Sequence, residues 1–114
     1  MFRLIEDFDK IKDMFPNSEC CYRFAKDDKT IGAAAINKAE EDNVYIFIKK
    51  DYRGNGYGKI LFSNIIEELK QKNYSKVIVC FDKNNIQMTK IINDNNGLHI
   101  STDKEIVKYL IPID

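Results

Sequence analysis

The sequence predicts an α+β domain built on a mixed, mostly antiparallel β-sheet, with a parallel pair of strands at its centre and helices on both faces. Three observations lead to this prediction. Hairpin patterns occur on both sides of the middle of the chain, two strands in the middle are apolar on both faces, and one long amphipathic segment connects those two strands. A helical connection makes neighbouring strands parallel, whereas tight turns make them antiparallel.

The first element is predicted to be a helix over residues 2–15. Its apolar residues recur at the spacing of one helix face, and Pro16 follows them; they are Leu4, Phe8, Ile11 and Phe15. The pattern thus predicts a helix at the start of the chain and no opening strand.

Both predicted hairpins have short alternating strands around a polar turn. The first pairs residues 20–25 with 30–37 around a turn at 27–29. The second pairs residues 98–101 with 105–111 around a turn at 102–104. These hairpins supply the antiparallel parts of the sheet.

The centre of the chain reads as a β-α-β unit. Residues 44–48 and 76–81 are rich in β-branched and aromatic residues on both faces, as in central strands covered on both sides. A helix from about 56 to 72 joins them, and a shorter helix from about 85 to 95 follows. The two central strands should therefore lie parallel.

Composition excludes several classes of protein. The length of 114 residues suits a single domain spanning 1–114. The 18 basic side chains balance the 18 acidic ones, so the net charge is zero and gives no reason to expect nucleic-acid binding. The longest apolar run, residues 31–36, is too short to cross a membrane. Three cysteines without paired spacing, Cys20, Cys21 and Cys80, indicate free thiols. We expect a cytoplasmic protein with no metal site and no membrane or nucleic-acid partner.

A glycine-rich loop at residues 51–59 lies between the first central strand and the long helix. It holds three of the five glycines, Gly54, Gly56 and Gly58. Glycines let main-chain N–H groups turn toward one point, and the helix that follows adds its unpaired N-terminal donors. Basic side chains crowd the same region, namely Lys49, Lys50, Arg53 and Lys59. The loop is therefore predicted to bind phosphate.

The spacing of the loop narrows the choice of ligand. A nucleotide-hydrolysing P-loop would need a hydroxyl residue where Ile60 stands, which excludes it. The dinucleotide fingerprint would need glycine in place of Lys59, although Asp82 could serve as its ribose-binding acid, so this alternative stays open. A flexible, solvated loop without a ligand is a further alternative.

The pattern Arg53-x-x-Gly56-x-Gly58 resembles the acetyl-coenzyme A signature of the GNAT superfamily of N-acetyltransferases. Tyr52 and Gly54 complete the lead-in that is common in that family. Asn85 and the segment 96–98 resemble the beginning and end of a later family helix. The resemblance covers about residues 20–111 and identifies the chain as a short, N-terminally reduced member with a GNAT-like fold.

The resemblance implies that acetyl-CoA is the cosubstrate and that a primary amine attacks its acetyl group directly, without a metal. Main-chain groups of Phe47 and Ile48 would pair with the pantetheine arm and polarise the thioester carbonyl. Asn85 would bind the cosubstrate from the opposite side. The pyrophosphate would bind the amides of the loop residues Arg53, Gly54, Asn55, Gly56, Tyr57, Gly58 and Lys59.

The catalytic groups are less defined than the cosubstrate loop. Many family members place a tyrosine general acid seven residues beyond the asparagine, where this chain has Ile92. Asp82, Glu41 and Tyr45 are the candidate bases, and Glu40 and Asp42 lie beside Glu41 in the same acidic segment. Cys80 lies on an apolar strand and is interpreted as a buried thiol. A missing opening strand would leave the acceptor site open for a large or protein-borne amine, or for completion by a second subunit in a homodimer.

Two other functions stay open on this pattern. One is a non-catalytic acyl-CoA-binding or regulatory module of the same fold, and the other is a small interaction domain with a structural loop. The acceptor amine, small or protein-borne, is not specified by the sequence.

Overall fold

The computed structural model describes residues 1–14, 18 and 20–113. This part of the chain contains seven strands and three α-helices. The elements are β1 (Phe2–Glu6), α1 (Phe8–Ile11), β2 (Cys20–Lys26), β3 (Lys29–Asn37), β4 (Asn43–Ile48), α2 (Tyr57–Gln71), β5 (Lys76–Asp82), α3 (Ile86–Asp94), β6 (Leu98–Asp103) and β7 (Ile106–Pro112).

The strands form one sheet in the order β1-β2-β3-β4-β5-β7-β6. Neighbouring strands are antiparallel except for β4 and β5, which are parallel and joined by α2. The prediction of a mixed, mostly antiparallel sheet with a central parallel pair is therefore confirmed.

The main core lies between one face of the sheet and the helices α2 and α3. Leu61, Phe62, Ile65 and Leu69 of α2 are fully buried there, together with Ile92 of α3. Their spacing matches one face of a helix, which explains why this segment folds as an amphipathic helix. No helix in the described ranges is long and apolar enough to cross a bilayer.

The opposite face of the sheet is covered by the short helix α1. Ile11 of α1 packs with Cys21, Ala33 and Ala35 in a separate buried cluster. Because side chains alternate along a strand, Ala33 and Ala35 lie on the other face from the core residue Ala34. Helices therefore occupy both faces, and the three cysteines are free thiols, as predicted.

The prediction of a helix over residues 2–15 is wrong. Residues 2–6 form a strand that pairs antiparallel with β2 from Phe2↔Lys26 to Glu6↔Tyr22. The helix is confined to Phe8–Ile11, and Phe8 is 46 % exposed. Phe2 and Leu4 are two residues apart, so they fit the period of a strand as well as that of a helix face. Pairing with β2 outweighs the local preference for a helix. Phe15 and Pro16 lie outside the described residues.

The two predicted hairpins and the β-α-β unit are present, with small shifts at their ends. The second hairpin turns at Lys104 and Glu105 rather than at 102–104, because β6 continues to Asp103. Lys104 has a φ of 57°, the left-handed conformation that tight two-residue hairpin turns use.

Candidate active site

A gap opens between the two parallel strands β4 and β5. They pair at a single register position, Asn43↔Ile78, where the Ile78 N–H donates to the Asp42 carbonyl at 3.3 Å. Beyond this point the strands diverge toward their C-terminal ends. Both the glycine-rich loop, after β4, and helix α3, after β5, begin at this open end of the gap.

The main chain of β4 has hydrogen-bonding groups that face this gap. The Lys49 N–H donates to the Ile31 carbonyl of β3 at 2.8 Å, so Lys49 and Phe47 direct their N–H and C=O groups toward β3. Groups alternate in direction along an antiparallel strand, and those of Ile46 and Ile48 therefore point toward the gap. Of the two strand residues predicted to bind the cosubstrate, Ile48 has the main-chain groups that face the gap.

Arg53 forms a hydrogen bond with one of the main-chain groups that face the gap. Its Nε donates to the Ile48 carbonyl at 2.8 Å, and its guanidinium lies 5.3 Å from the centroid of the Phe47 ring. A ligand that pairs with the Ile48 carbonyl must displace this Nε. Arg53 thus ties the loop to the end of β4.

The glycine-rich loop turns through two left-handed residues. Gly54 has a φ of 82° and Gly56 a φ of 78°, values that L side chains rarely adopt. The side-chain NH2 of Asn55 donates to the Tyr52 carbonyl at 3.2 Å and fixes the turn. Gly56 then serves as the N-terminal cap of α2.

The amides of this loop have no acceptor in the part of the chain that the structure describes. The first hydrogen bond of α2 runs from the Ile60 N–H to the Gly56 carbonyl at 3.4 Å. The N–H groups of residues 54–59 form no hydrogen bond with any described residue (1–14, 18 and 20–113). Six consecutive donors at a helix N-terminus are the arrangement that binds phosphate oxygens. The structure therefore fits the pyrophosphate that the sequence predicts here.

The loop forms one wall of a cleft of about 260 Å³, and α3 forms the other wall. The α3 residues that line the cleft are Gln87, Lys90, Ile91 and Asp94. Lys90, Ile91 and Asp94 follow Gln87 by three, four and seven residues, so all four side chains lie on one face of α3. The sequence reading missed Lys90, although a polar stripe beside Ile91 was visible in the sequence. Lys90 adds to the positive charge that Arg53 and Lys59 bring to the cleft.

Two further predicted residues hold the site together. The Asn85 Oδ1 accepts a hydrogen bond from the Met88 N–H at 3.0 Å and caps α3, and its NH2 group is the donor that the side chain can offer to a ligand. The Tyr57 hydroxyl accepts a hydrogen bond from Lys26 Nζ at 3.0 Å, and its ring contacts Phe2 edge-on at 5.4 Å. Tyr57 thereby connects the loop to β1, the strand that the sequence reading missed.

A polar cluster lies on the face of the sheet opposite α2 and α3. Tyr45 of β4 donates a hydrogen bond to the Glu40 carboxylate at 2.5 Å, and Asn43 Nδ2 donates to the Tyr45 hydroxyl at 3.5 Å. Burial raises the pKa of Tyr45 to about 12, and the Glu40 carboxylate adds to the rise. Tyr45 is therefore a neutral phenol at physiological pH, a state that suits proton relay to Glu40.

The second predicted catalytic residue, Glu41, pairs with a neighbour of Cys80. Glu41 has a left-handed φ of 61° and forms an ion pair with Lys108 at 3.3 Å. Lys108 stands opposite Cys80 in the β5–β7 ladder. Burial raises the pKa of the Cys80 thiol, while Lys108 and Asn43 oppose the rise. The sequence could not reveal this pairing, because it depends on β7 lying next to β5.

The third predicted catalytic residue, Asp82, lies at the exposed end of β5. Its Oδ1 accepts a hydrogen bond from the Asn84 N–H at 2.8 Å and stabilises the turn into α3. Tyr45 and Glu40 are in direct contact, whereas no contact joins Asp82 to either of them in the described part of the chain.

A second cavity, of about 380 Å³, lies on the α1 face beside the C-terminal end of β4. Phe47 lines this cavity, while its neighbour Ile48 lines the cleft on the other face. The end of β4 therefore separates two cavities. Ala33 and Gly32 form part of the floor of the second cavity, where a Cβ on Gly32 would lie 2.4 Å from the Phe47 carbonyl.

The arrangement of strands, glycine-rich loop and gap defines an acyl-CoA N-acyltransferase fold, and comparison with known proteins agrees. A Bacillus subtilis acetyltransferase in complex with CoA has a TM-score of 0.77 at 15 % identity, covering 99 % of this chain and 98 % of that one. The Campylobacter jejuni N-acetyltransferase PseH in complex with acetyl-CoA has a TM-score of 0.77 at 14 % identity, with 100 % of both chains covered. The Escherichia coli ribosomal-protein-S18-alanine N-acetyltransferase has a TM-score of 0.77 at 11 % identity, covering 100 % of this chain and 95 % of that one.

The sequence profile of the acetyltransferase (GNAT) family matches residues 2–92. The chain therefore belongs to the GNAT acetyltransferase family, as the loop and its flanking elements predicted. No curated protein sequence matches this chain.

Proposed function

We propose that this protein transfers the acetyl group of acetyl-CoA to a primary amine by direct attack of the amine on the thioester. The observation that carries the proposal is the run of amides at residues 54–59, which have no acceptor among the described residues and lie beside the gap between β4 and β5. Two of the structurally similar acetyltransferases, from B. subtilis and C. jejuni, are complexes with CoA or acetyl-CoA. Their folds match this chain over nearly its whole length.

The binding part of the proposal assigns the ends of acetyl-CoA to two parts of the site. The amides of the loop, with Arg53, Lys59 and Lys90 around them, hold the pyrophosphate. The main-chain groups of Ile46 and Ile48 receive the pantetheine arm in the gap, after Arg53 Nε leaves the Ile48 carbonyl. An N–H of β4 that faces the gap also supports the developing negative charge on the thioester oxygen.

The transfer step needs a route for one proton from the amine. The amine nitrogen bonds to the acetyl carbon as the carbon–sulfur bond breaks, and the thiolate leaves. The nitrogen passes its proton to the Tyr45 oxygen while the phenol proton moves to Glu40, which already accepts that hydrogen bond. The leaving thiolate takes a proton from water, since Ile92, at the usual position of the acid, is fully buried.

The second candidate is a non-catalytic acyl-CoA-binding module of the same fold. Ile92 favours it, because an apolar side chain that is fully buried in the core cannot protonate a thiolate. The binding site for acetyl-CoA is the same in both proposals. A measurement of turnover distinguishes the enzyme from the non-catalytic module.

The first experiment measures binding by thermal shift with acetyl-CoA, dephospho-CoA and NAD. A ligand that binds only the folded state raises the melting temperature, and at about 100 times its Kd it contributes roughly 2.7 kcal/mol. We expect stabilisation by acetyl-CoA and none by NAD. Equal stabilisation by NAD would favour a dinucleotide site, and no stabilisation by any of them would contradict the proposal.

The second experiment measures thiol release from acetyl-CoA with a panel of primary amines. We expect Tyr45→Phe to lower kcat by about 100-fold, in the range of general acid–base catalysis, and to leave the KM for acetyl-CoA unchanged. Tyr74→Phe, a tyrosine outside the site, is the matched control. Tight binding of acetyl-CoA with no release for any amine would support the non-catalytic module.

A further inference from the structure

The second cavity, on the α1 face, carries an unbalanced positive charge. The described residues of its lining include three cations, Lys10, Arg23 and Lys49, and no carboxylate. The remaining lining is apolar or small, and the largest apolar members are Ile11, Met14 and Phe47. A cavity that bound only a simple alkylamine would repel the protonated form of its own ligand.

Among the described residues, one of the three cations has an ion-pair partner. Arg23 Nε pairs with Asp7 Oδ2 at 3.3 Å, and its Nη1 donates to Thr30 Oγ1 at 2.9 Å. In contrast, Lys10 and Lys49 form no ion pair with any residue in the described ranges. Both lie at the exposed rim, so they keep their charge and can contact a ligand that enters the cavity.

We infer that this cavity binds the acceptor and that the acceptor is a small amine that also carries an anionic group, a carboxylate or a phosphate. The inference rests on the proposed amine acetylation and specifies its substrate class. Lys10 and Lys49 hold the anion at the rim, while the carbon chain lies against Phe47 and Ile11. The amine then points toward the gap between β4 and β5.

The dimensions of the cavity support a small acceptor. A volume of about 380 Å³ lies in the range of small-molecule sites, roughly 300–1,000 Å³. A Cβ on Gly32 would lie 2.4 Å from the Phe47 carbonyl, so the glycine allows β3 and β4 to pair closely beside the cavity.

The test compares acceptors that share a terminal amine and differ in the charge and type of the group at the other end. Thiol release from acetyl-CoA is measured with 4-aminobutyrate, its neutral carboxamide and 3-aminopropylphosphonate, whose amines are separated from the variable group by a saturated carbon chain. We expect kcat/KM for 4-aminobutyrate to exceed that for the carboxamide by about tenfold, the order of effect that two exposed ionic contacts contribute together. The phosphonate distinguishes a carboxylate site from a phosphate site.

The variant Lys10→Gln/Lys49→Gln should bring the ratio of carboxylate to carboxamide close to one. Lys70→Gln, which removes a charge from the exposed side of α2, is the control and should keep the wild-type ratio. Equal turnover of 4-aminobutyrate and its carboxamide by the wild type would overturn the inference. So would a double variant that keeps the wild-type ratio.

A binding measurement separates this inference from the proposed function. Titration of 15N-labelled protein with 4-aminobutyrate, in the presence of acetyl-CoA, should shift the amide signals of Ala33, Phe47 and Lys49 in the wild type and not in the double variant. Shifts with 4-aminobutyrate, but no thiol release for any amine of the panel, would support the anion-binding cavity and contradict amine transfer. No shift and no release would overturn the inference, and stabilisation by acetyl-CoA would then still support a CoA-binding module.

Discussion

The two left-handed glycines of the loop are required by their backbone conformation and not by lack of space. A Cβ added at Gly54 or Gly56 would meet no atom within 4 Å, yet both residues have a φ near 80°. Gly58 differs, because its φ is not left-handed and a Cβ there would lie 3.7 Å from Ile91 Cδ1, an ordinary contact. The fold therefore tolerates a methyl group at Gly58 better than at Gly56.

We expect Gly56→Ala to lower the free energy of unfolding by about 1–2 kcal/mol, the cost of a left-handed conformation for an L residue. The same strain tilts the amides of the loop, so affinity for acetyl-CoA should fall by at least about tenfold. Chemical denaturation and calorimetric titration measure the two effects. Gly58→Ala is the matched control for stability. A folded Gly56→Ala variant with wild-type affinity would refute the assignment of the loop.

At the level of single residues, the sequence predicted those roles that depend on local spacing. The positions of Gly54 and Gly56 follow from the loop pattern alone, because a left-handed φ is a local property. The contact between Tyr45 and Glu40 and the bond from Arg53 to the Ile48 carbonyl were not predictable. Both depend on how the chain folds back at the ends of β4, which no local pattern specifies.

At the level of elements, α3 is held at both ends so that its polar face reaches the cleft. Asn85 caps its N-terminus, and at the other end the Gly97 N–H donates to the Ile92 carbonyl at 2.9 Å. A Cβ on Gly97 would lie 2.3 Å from Ile92 Cγ2, and Ile92 is fully buried. The sequence predicted this helix and its ends because caps are local signals.

We expect Asn85→Ala to lower the free energy of unfolding by about 1 kcal/mol, since it removes the acceptor of the Met88 N–H. Asn85→Asp keeps a capping oxygen and should retain most of the stability. Both variants lose the side-chain NH2 group, and affinity for acetyl-CoA should fall in both. Thermal denaturation and calorimetric titration give the two quantities. Wild-type affinity in Asn85→Asp would show that the Asn85 side chain does not bind the cosubstrate.

The opening strand β1 shows where the prediction of elements failed. Its apolar residues fit two periods, and the choice between them is made by the free edge of β2, which is distant in sequence. The error also concealed Lys10 and Arg23 as neighbours of the second cavity. Long-range pairing therefore decided both the element and part of the candidate acceptor site.

At the scale of the whole molecule, the formal net charge of zero conceals a separation of charge. Positive side chains gather around the cosubstrate cleft, where Arg53, Lys59 and Lys90 outnumber Asp94, the one acid among the described lining residues. Such a local field attracts a polyanion although the average field of the protein vanishes. The net charge of the whole chain gives no information about this cleft.

Affinity for acetyl-CoA should therefore depend on salt. The screening length shortens from about 10 Å at 0.1 M to about 3 Å at 1 M ionic strength, and we expect Kd to rise several-fold over this range. Lys59→Gln should reduce the slope of log Kd against log salt, and Lys70→Gln on the same helix should not. Isothermal titration at several concentrations of NaCl measures the slope. A Kd that is independent of salt would contradict phosphate binding by the loop.

The single register pair between β4 and β5 has a mechanical consequence. The sheet consists of two antiparallel blocks, β1 to β4 and β5 to β7, joined across the middle by one rung and by α2. An extended ligand that forms hydrogen bonds with β4 in the gap would connect the two blocks and restrict their relative motion. The protein would then be stiffest during the reaction and most compliant after the product leaves, so hydrogen exchange in β4 and β5 would report on the catalytic cycle.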